Sequence, residues 1–362
     1  MISAKRLVRR AEERLDEIRA ADRWRVVRTL RPTGPTTGEI DGRQVIVACS
    51  NDYLGLAWDP DVRAAAAGGG SGGSRLISGA RPVHRQLEEV VGDWLGRPAL
   101  LFNSGWNANL GLLQALGEPG ARIASDALNH ASIIDGLRLS RAERQVVAHA
   151  DPSAIPRDTD AWVAEGLFSM DGDIPPFPGY PTGPLSVVDE AHAVGCLGPE
   201  GRGAAAMLGV EADVIVGTFG KAFGASGAFV AGPRPVIDLL VNTARSFVFT
   251  TALPEPVAAM ALAGLRRADD ALRERLAANT ERFRCALHQL GWTPLGDAHV
   301  VPVVVGPGAM GLAERLLASG VFAPAIRWPT VARGQERIRF TVSAAHTPEQ
   351  LDRVAEALGP AT

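Results

Sequence analysis

Cysteine is scarce in this sequence of 362 residues. Cys49, Cys196 and Cys285 are odd in number and far apart, so neighbouring cysteines can form neither a disulfide framework nor a CxxC metal site. A few unpaired cysteines are typical of proteins in reducing compartments. We therefore expect a cytoplasmic protein that holds no metal ion.

An excess of one charge and a long apolar run are also missing. The 37 Lys and Arg residues face 40 Asp and Glu residues, and no basic stripe with interleaved aromatics predicts a nucleic-acid groove. Residues 1–31 mix bases with acids, unlike a signal or transit peptide. The longest uncharged stretch is rich in glycine and interrupted by Lys221, which argues against a membrane span. We expect neither nucleic acid nor a membrane as a partner.

The pattern of apolar residues favours an α/β fold. Between residues 87 and 231, short apolar runs alternate with helical stretches, which is typical of a largely parallel sheet covered on both faces. This pattern predicts strands at 99–103, 121–125, 145–148, 161–169, 185–189, 214–218 and 227–231, after an earlier strand at 44–48. Ligands in such folds bind at the carboxyl ends of the strands.

The remaining elements suggest an arm and a smaller lobe. Residues 4–28 have the spacing of an amphipathic helix, with Leu7, Ala11, Leu15 and Ile18 on one stripe. A helix over 254–290 leads to a strand at 300–305, a helix through Leu317 and a strand at 337–342. We divide the chain into an N-terminal arm (1–45), a large domain (46–235) and a small C-terminal domain (236–362).

Lys221 carries the strongest chemical signal, because it is the only charged residue between Asp213 and Arg234. Desolvation lowers the pKa of an amine, and a neutral amine is what a Schiff base to an aldehyde cofactor requires. The alternative is a lysine that reaches the surface along its aliphatic stem. Residue type alone leaves both interpretations open.

Asp189 and His192 favour the chemical interpretation. Residues 185–188 predict a buried strand, which puts Asp189 at its carboxyl end and His192 in the following loop. An aspartate there can keep a pyridine nitrogen protonated and make the ring an electron sink, while His192 can bond the ring's phenolic oxygen. An acidic cap of the next helix is the ordinary alternative.

Two further segments follow predicted strands. His130 begins a helix and offers an imidazole face that can stack on a flat ring, although a histidine at such a position is more often structural. In residues 104–109 (SGWNAN), backbone N–H groups at the start of a helix can hold a phosphate. Serine and asparagine are also ordinary helix caps.

Glycine-rich segments formally match nucleotide and nucleophile motifs. Residues 68–73 fit GxGxxG and GxSxG, but a predicted helix precedes them where both motifs need a strand. Residues 306–311 lie between a strand and a helix, yet the next apolar segment lacks the acidic residue that binds a ribose. A dinucleotide-binding oxidoreductase therefore remains an alternative.

Six segments in the same order resemble the α-oxoamine synthases. They are SNDYLGL (50–56), SGWNAN (104–109), NHASIIDG (129–136), LFSMDGD (167–173), VDEAH (188–192) and GTFGK (217–221). The resemblance implies an aspartate-aminotransferase-like fold of type I and a homodimer with active sites at the subunit interface. It also implies pyridoxal 5'-phosphate as the cofactor and a condensation of an amino acid with an acyl-CoA in which the carboxylate is lost.

The same resemblance assigns cofactor roles. It makes Lys221 the Schiff-base lysine, Asp189 the partner of the pyridine nitrogen, His192 the partner of the ring oxygen and His130 the stacking and catalytic group. The remaining cofactor contacts are expected from Ser169, Thr218 and the backbone of Gly105 and Trp106, with Thr250 or Thr251 reaching the phosphate of the neighbouring subunit. Trp106 replaces a smaller aromatic residue, so only its backbone role carries over.

The resemblance also implies substrate roles for several residues. Asn51 and Glu165 are expected to face the substrate, Arg327 to bind the amino acid's carboxylate, and Arg25 and Thr330 to lie near the acyl group. The compact length, the lack of an N-terminal extension and the likeness of residues 325–331 and 344–346 favour the branch that condenses alanine with pimeloyl-CoA in biotin biosynthesis.

Other functions stay open at this stage. They are a condensation of glycine with acetyl-CoA or succinyl-CoA, an aminotransferase on the same fold, and a non-catalytic scaffold that keeps the fold without turnover.

Overall fold

The computed structural model describes residues 4–21 and 23–361. Its strands are β1 (Arg31–Pro32), β2 (Thr37–Ile40), β3 (Arg43–Val47), β4 (Ala99–Phe102), β5 (Arg122–Asp126), β6 (Glu143–Val147), β7 (Ala161–Glu165), β8 (Leu185–Asp189), β9 (Val214–Thr218), β10 (Ala228–Ala231), β11 (Val300–Val304), β12 (Val321–Phe322), β13 (Ala325–Ile326) and β14 (Arg337–Thr341).

The α-helices lie mostly between these strands. They are α1 (Ala4–Ala20), α2 (Pro60–Ala64), α3 (Pro82–Leu95), α4 (Gly105–Leu116), α5 (Ala131–Leu139), α6 (Ala204–Met207), α7 (Arg234–Thr243), α8 (Arg245–Val248), α9 (Glu255–Arg267), α10 (Asp270–Gln289), α11 (Ala309–Ala318) and α12 (Pro348–Leu358). Among the described residues, no helix combines the length and the apolar character that a membrane span requires.

The central sheet has seven strands in the order β4-β10-β9-β8-β7-β5-β6. Only β10 runs against the others, since it pairs antiparallel with both β4 and β9. Every residue of β7 and β9 is buried, because helices cover both faces. One apolar layer involves α4, α5 and α7, and the other involves α3 and α9. The predicted α/β fold with a largely parallel sheet covered on both faces is confirmed.

The common direction of five strands brings their carboxyl ends to one edge of the sheet. The segments that leave β4, β5, β7, β8 and β9 at this edge carry Gly105, His130, Glu165, Asp189 and Lys221, respectively. Residues that are up to 116 positions apart in sequence therefore meet at a single edge.

Two small sheets complete the fold. The strands β1, β2 and β3 join β12 in a four-stranded sheet, and β11, β14 and β13 form an antiparallel sheet. Because β3 pairs with β12, part of the N-terminal region lies against the C-terminal region. The predicted domain boundaries at 45/46 and 235/236 stay predictions.

Three predicted elements are too long. The helix expected over 254–290 is two helices, because Asp269 caps α10 by accepting a hydrogen bond from the Leu272 N–H at 2.9 Å. The strand expected over 161–169 ends at Glu165, where the chain turns into a loop. The helix expected over 4–28 ends at Ala20, and its apolar stripe is uncovered, with Leu7 70% exposed.

The buried aromatic cluster under the sheet provides a test of the core. Phe229 of β10 is fully buried, and its ring centroid lies 5.3 Å from that of Phe219. We expect Phe229→Ala to lower the free energy of unfolding by about 3–5 kcal/mol, because a large cavity replaces the ring.

Urea unfolding followed by circular dichroism measures this change. Leu139→Ala is the control, since Leu139 is 59% exposed and its truncation should cost within about 0.5 kcal/mol. Equal midpoints for the two variants would contradict the packing described for β10.

Candidate active site

The carboxyl edge of the central sheet contains a cavity of about 220 Å³. Its wall combines an amine, two carboxylates, two imidazoles and the start of α4. The lining residues are Gly105, Trp106, Asn109, His130, Ser132, Glu165, Asp189, Ala191, His192, Thr218 and Lys221. The structure therefore brings together eight of the residues singled out in the sequence.

Lys221 lies in the loop between β9 and β10, which the fully buried rings of Phe219 and Phe223 anchor. Its Nζ is 2.8 Å from His192 Nε2. Burial lowers the pKa of Lys221 to about 8, the charges of Asp189 and Glu165 oppose this shift, and Arg339 adds to it. The amine is therefore far easier to deprotonate than an exposed lysine.

A chain of hydrogen bonds fixes the orientation of His192. Tyr53 Oη is 3.0 Å from Asn51 Oδ1 and 2.6 Å from His192 Nδ1. Since the amide oxygen of Asn51 can only accept, the Tyr53 hydroxyl donates to it and accepts from His192 Nδ1–H. His192 Nε2 is then the acceptor that faces the Lys221 amine.

Burial and the Lys221 charge hold the pKa of His192 well below its usual value. His192 is therefore neutral at neutral pH, and its Nε2 can accept a hydrogen bond from Lys221. Tyr53 was not predicted as a site residue, although it lies in the 50–56 segment, in which three polar residues are followed by apolar ones.

Asp189 lies buried at the end of β8. Its Oδ2 accepts a hydrogen bond from Asn109 Nδ2 at 2.7 Å, and its Oδ1 accepts one from the Ala191 N–H at 3.0 Å. Asn109 also donates to Ser132 Oγ at 2.9 Å. Asn109 thereby links the carboxylate to the helix that begins after His130, a role that the sequence did not reveal.

His130 caps α5, and its tautomer follows from that role. The Ser132 N–H donates to His130 Nδ1 at 3.2 Å, so in the neutral ring Nε2 carries the proton. Burial lowers the pKa of His130 and the Lys221 charge lowers it further, although Asp189 opposes the shift. The ring meets Trp106 edge-on at 5.9 Å between centroids.

The start of α4 provides an anion site. Ser104 Oγ accepts a hydrogen bond from the Asn107 N–H at 3.2 Å, so the N–H groups of Gly105 and Trp106 in the same turn are available for another acceptor. A helix of 12 residues adds a positive dipole end at this point. Trp106 is 41% exposed at the mouth of the cavity.

Glu165 is a buried acid at the end of β7. Its Oε2 accepts a hydrogen bond from the Ser169 N–H at 3.3 Å, while its Oε1 has no partner among the residues that the structure describes. Burial, reinforced by the charge of Asp189, raises the pKa of Glu165 to about 8. The protonated carboxyl can therefore offer a hydrogen bond at neutral pH.

Ser169 and Thr218 take part in the walls of the site. Ser169 is buried beside Glu165, and its carbonyl accepts a hydrogen bond from Arg339 Nε. Thr218 Oγ1 donates to the Gly227 carbonyl at 2.9 Å and accepts from the Gly220 N–H at 3.1 Å, which shapes the loop that carries Lys221.

Arg25, Arg327 and Thr330 line a different cavity of about 530 Å³ between the N-terminal arm and α11. Arg327 Nη2 donates to the Trp24 carbonyl at 2.6 Å. This position does not suit the predicted role of Arg327 at the amino acid's carboxylate. The carboxylate carbon is two bonds from the substrate amine, and that amine has to lie near Lys221.

Arg339 is the cation that lies near Lys221. It is buried in β14, its charge lowers the pKa values of Lys221 and His192, and its Nη1 is 3.4 Å from Asn51 Oδ1. The sequence contained a signal for it, because Arg337 and Arg339 occupy alternate positions of a strand that is otherwise apolar.

Thr250 and Thr251 lie next to Asn103, whose Nδ2 donates to Thr250 Oγ1 at 3.3 Å and to the Thr251 carbonyl at 2.7 Å. Their expected contact with a neighbouring subunit stays a prediction.

The residues of the cavity fit pyridoxal phosphate. The cofactor needs an amine for its aldehyde, a carboxylate for its ring nitrogen and donors for its phosphate. Lys221, Asp189 and the start of α4 supply these three groups around one space. A Cβ added to Gly105 would meet nothing within 4 Å, so the helix start faces open space.

Comparisons with known proteins agree with this geometry. The family model for class I and II aminotransferases matches residues 43–358. The chain belongs to the class I and II aminotransferase family. Its cofactor is pyridoxal 5'-phosphate, as predicted.

Curated relatives in this family include two named 8-amino-7-oxononanoate synthase. The one from Citrifermentans bemidjiense is 42% identical over 95% of this chain and 95% of that protein. The one from Halorhodospira halophila is 42% identical over 99% of this chain and 96% of that protein. The resemblance to the α-oxoamine synthases is confirmed.

Solved structures share the fold of this chain. A serine palmitoyltransferase from S. paucimobilis with a bound PLP–myriocin aldimine has a TM-score of 0.88 at 30% identity, covering 92% of this chain and 91% of that chain. An 8-amino-7-oxononanoate synthase from Francisella tularensis has a TM-score of 0.75 at 27% identity, covering 87% of this chain and 96% of that chain.

Residues 306–311 do not form a dinucleotide site of the usual kind. The preceding strand β11 belongs to an antiparallel sheet with β14 and β13, whereas the dinucleotide motif opens a parallel βαβ unit. The alternative of a dinucleotide-binding oxidoreductase, which depended on residues 306–311, therefore loses its structural basis.

The low pKa of Lys221 predicts how the cofactor attaches. Because the pKa is lowered from 10.5 to about 8, the neutral amine predominates above pH 8. We expect the rate at which cofactor-free protein captures pyridoxal phosphate to rise with pH through a midpoint near 8.

Borohydride trapping followed by peptide mapping measures this rate at a single residue. The sequence has only two lysines, Lys5 and Lys221, so peptide mapping separates the Lys221 adduct from those of Lys5 and the N-terminal amine. Lys221→Ala is the control and should leave only the signals from Lys5 and the N-terminal amine. A midpoint above pH 10 for the Lys221 adduct would show that its amine is not desolvated.

Proposed function

We propose that this protein condenses L-alanine with pimeloyl-CoA to form 8-amino-7-oxononanoate, coenzyme A and carbon dioxide, a reaction of biotin biosynthesis. The observation that carries the proposal is the Lys221 amine of lowered pKa in one cavity with Asp189, His192 and His130. The names of relatives at 40–44% identity supply the reaction type and the substrates.

Each cofactor contact has a candidate residue. Lys221 would form the covalent link, Asp189 would bind the ring nitrogen, and His192 would bind the ring oxygen. His130 would contact the ring, and the N–H groups of Gly105 and Trp106, with Ser169 and Thr218 in the adjoining walls, would hold the phosphate. When bound, pyridoxal phosphate supplies an aldehyde for the substrate amine and a sink for the electrons of its Cα bonds.

The proton transfers fall to two side chains. Lys221, with its amine free and neutral, would remove the Cα proton of the substrate, a step that needs a pKa not far above neutral. His130 Nε2–H donates a hydrogen bond to the thioester carbonyl oxygen, where negative charge develops as the new carbon–carbon bond forms. Glu165 Oε1 offers a further polar contact to the bound substrate.

Arg339 is the residue that we assign to the amino acid's carboxylate. It is a buried guanidinium close enough to affect Lys221. Its Nε donates to the Ser169 carbonyl, while Nη1 and Nη2 have only long contacts of 3.4 and 3.5 Å with Asn51 Oδ1. A substrate carboxylate at Arg339 would neutralise this buried charge. Asn51 then orients Arg339 and, through Tyr53, His192.

The cavity beside the arm fits the acyl group. Its wall includes the apolar residues Leu317, Phe322 and Ile326 together with Arg25 and Arg327. An apolar lining with guanidinium groups suits an alkyl chain that ends in a carboxylate, which distinguishes a pimeloyl group from an acetyl group. Thr330 lies at the same wall.

A homodimer in the cytoplasm completes the proposal. Large apolar side chains are exposed on one chain, including Ile77 at 84%, Phe249 at 72% and Leu7 at 70%. Covering such groups with a second subunit would remove their apolar surface from water. The expected cytoplasmic location continues to depend on the cysteine content.

The proposed reaction is tested by mixing the cofactor-loaded protein with substrates and following thiol release. We expect rapid release of coenzyme A with L-alanine and pimeloyl-CoA, and slow release with glycine and either acetyl-CoA or succinyl-CoA. Fast release only with glycine would keep the family and overturn the choice of substrates. Pyruvate formed from alanine alone would favour an aminotransferase.

The role of Arg339 is tested against that of Arg327. We expect Arg339→Gln to raise KM for alanine, because a lost charge-assisted pair of about 1.5–3 kcal/mol corresponds to roughly 10- to 150-fold in KM. Arg327→Gln is the matched control and should alter KM for pimeloyl-CoA instead. Steady-state kinetics with each substrate varied in turn measure both effects. A raised KM for alanine in Arg327→Gln alone would restore the assignment made from sequence.

A further inference from the structure

A second group of titratable side chains lies outside the cavity. His149 follows the edge strand β6 and bridges two carboxylates, with Nδ1 2.9 Å from Asp126 Oδ1 and Nε2 2.9 Å from Asp173 Oδ2. Carboxylate oxygens accept hydrogen bonds, so both ring nitrogens must donate. This geometry requires a protonated, positively charged imidazole between two negative groups.

Asp126 belongs to the turn that carries His130. It is the last residue of β5, with its side chain 2% exposed, and it accepts hydrogen bonds from the N–H groups of Leu128 and Ala150, both at 2.8 Å. His130 follows only four residues later. The position of Asp126 therefore sets the turn from which the His130 ring enters the active site.

Asp173 belongs to the loop that carries Ser169. The Phe168 N–H donates to the Asp173 carbonyl at 3.0 Å, which closes this loop on itself. The ring of His149 also packs edge-on against Phe168, with 4.5 Å between centroids. Ser169 follows Phe168 in the chain. His149 therefore contacts Phe168, the residue before Ser169, and Asp173, the residue that closes the Ser169 loop.

The charges around His149 favour its protonated form. Asp126 and Asp173 raise its pKa to about 10, against the effect of burial. Of the other nearby groups, Tyr180 has its pKa raised by burial and stays a neutral phenol. Asp151 lies two residues away, and its carboxylate is engaged by Ser153, which donates from N at 2.9 Å and from Oγ at 2.6 Å.

We propose that His149 is a positioning residue for the cofactor site, whose imidazolium ties the Asp126 turn to the Asp173 loop and so fixes His130 relative to Ser169. The inference rests on the proposed cofactor site at Lys221. His149 lines neither of the two cavities described above, so its effect has to pass through the two loops.

Replacing the bridge tests this role. In His149→Gln the neutral amide cannot balance two carboxylates, and we expect the dissociation constant of pyridoxal phosphate to rise by about 10- to 100-fold, because small misplacements of contact groups have effects of this size. Asp173→Asn is a milder second variant, since the Asp173 side chain is 28% exposed. We expect a smaller rise in the same direction.

The readouts separate positioning from stability. Absorbance titration gives the dissociation constant, and the melting temperature of the cofactor-free protein reports the fold. His288→Gln, on the exposed face of α10, is the matched control and should behave as the unaltered protein. The double variant that combines His149→Gln with Asp173→Asn should bind the cofactor about as weakly as His149→Gln alone, because His149 and Asp173 belong to one bridge.

A pH series provides an independent readout. The folded-state pKa of His149 is about 10 against an ordinary value of 6.5, so its stabilisation is complete below pH 6.5 and is lost as pH rises through 10. The difference in melting temperature between the unaltered protein and His149→Gln should therefore shrink towards pH 10. Histidine NMR of the cofactor-free protein gives the pKa directly.

The possible outcomes point in different directions. A His149→Gln protein that binds the cofactor normally but melts earlier would overturn the positioning role and leave a purely structural one. Additive effects in the double variant, or a His149 that titrates near pH 6.5, would overturn the bridge itself. Failure of the unaltered protein to bind pyridoxal phosphate would instead overturn the proposed function.

Discussion

The groups of the active site are arranged around one desolvated amine, that of Lys221, at the carboxyl edge of the central sheet. An amine in this setting is costly to keep charged, and the fold surrounds it with groups of opposing effect. Asp189 and Glu165 favour its charged form, while burial and Arg339 favour the neutral one. The balance puts its pKa near 8, where a small change in surroundings moves the proton.

The same balance explains why the neighbouring groups are themselves perturbed. His192 is kept neutral by burial and by the Lys221 charge, and Glu165 has its pKa raised to about 8 by burial and by Asp189. Tyr53 and Asn51 then fix which nitrogen of His192 faces the amine. Lys221 and Glu165, whose pKa values both lie near 8, are thus held in one buried network with a neutral His192, and groups of this kind suit acid–base chemistry.

The support for this network comes from loops that the central sheet does not hold by itself. The Ser169 loop is tied to β14 through Arg337, which donates to Asp171 Oδ1 at 2.7 Å, and to the Asp126 turn through His149. Charged side chains thereby join the large sheet, the small antiparallel sheet and the cofactor loops. A site built from loops on a rigid sheet needs such ties to keep its contacts in place.

The six motifs of the sequence indicated the family. The sequence by itself also determined the α/β fold and the residues that end its strands or follow them, including Asp189, His192 and Lys221. These follow from local patterns, because buried strands are apolar runs and a lone charge among glycines is conspicuous. Tertiary structure decided that the charge of Arg339 reaches Lys221 while Arg327 lines a different cavity, that Tyr53 and Asn109 orient His192 and Asp189, and that His149 bridges two loops. Each of these contacts joins residues far apart in the chain, and their distance in space depends on how the sheets pack rather than on any local pattern.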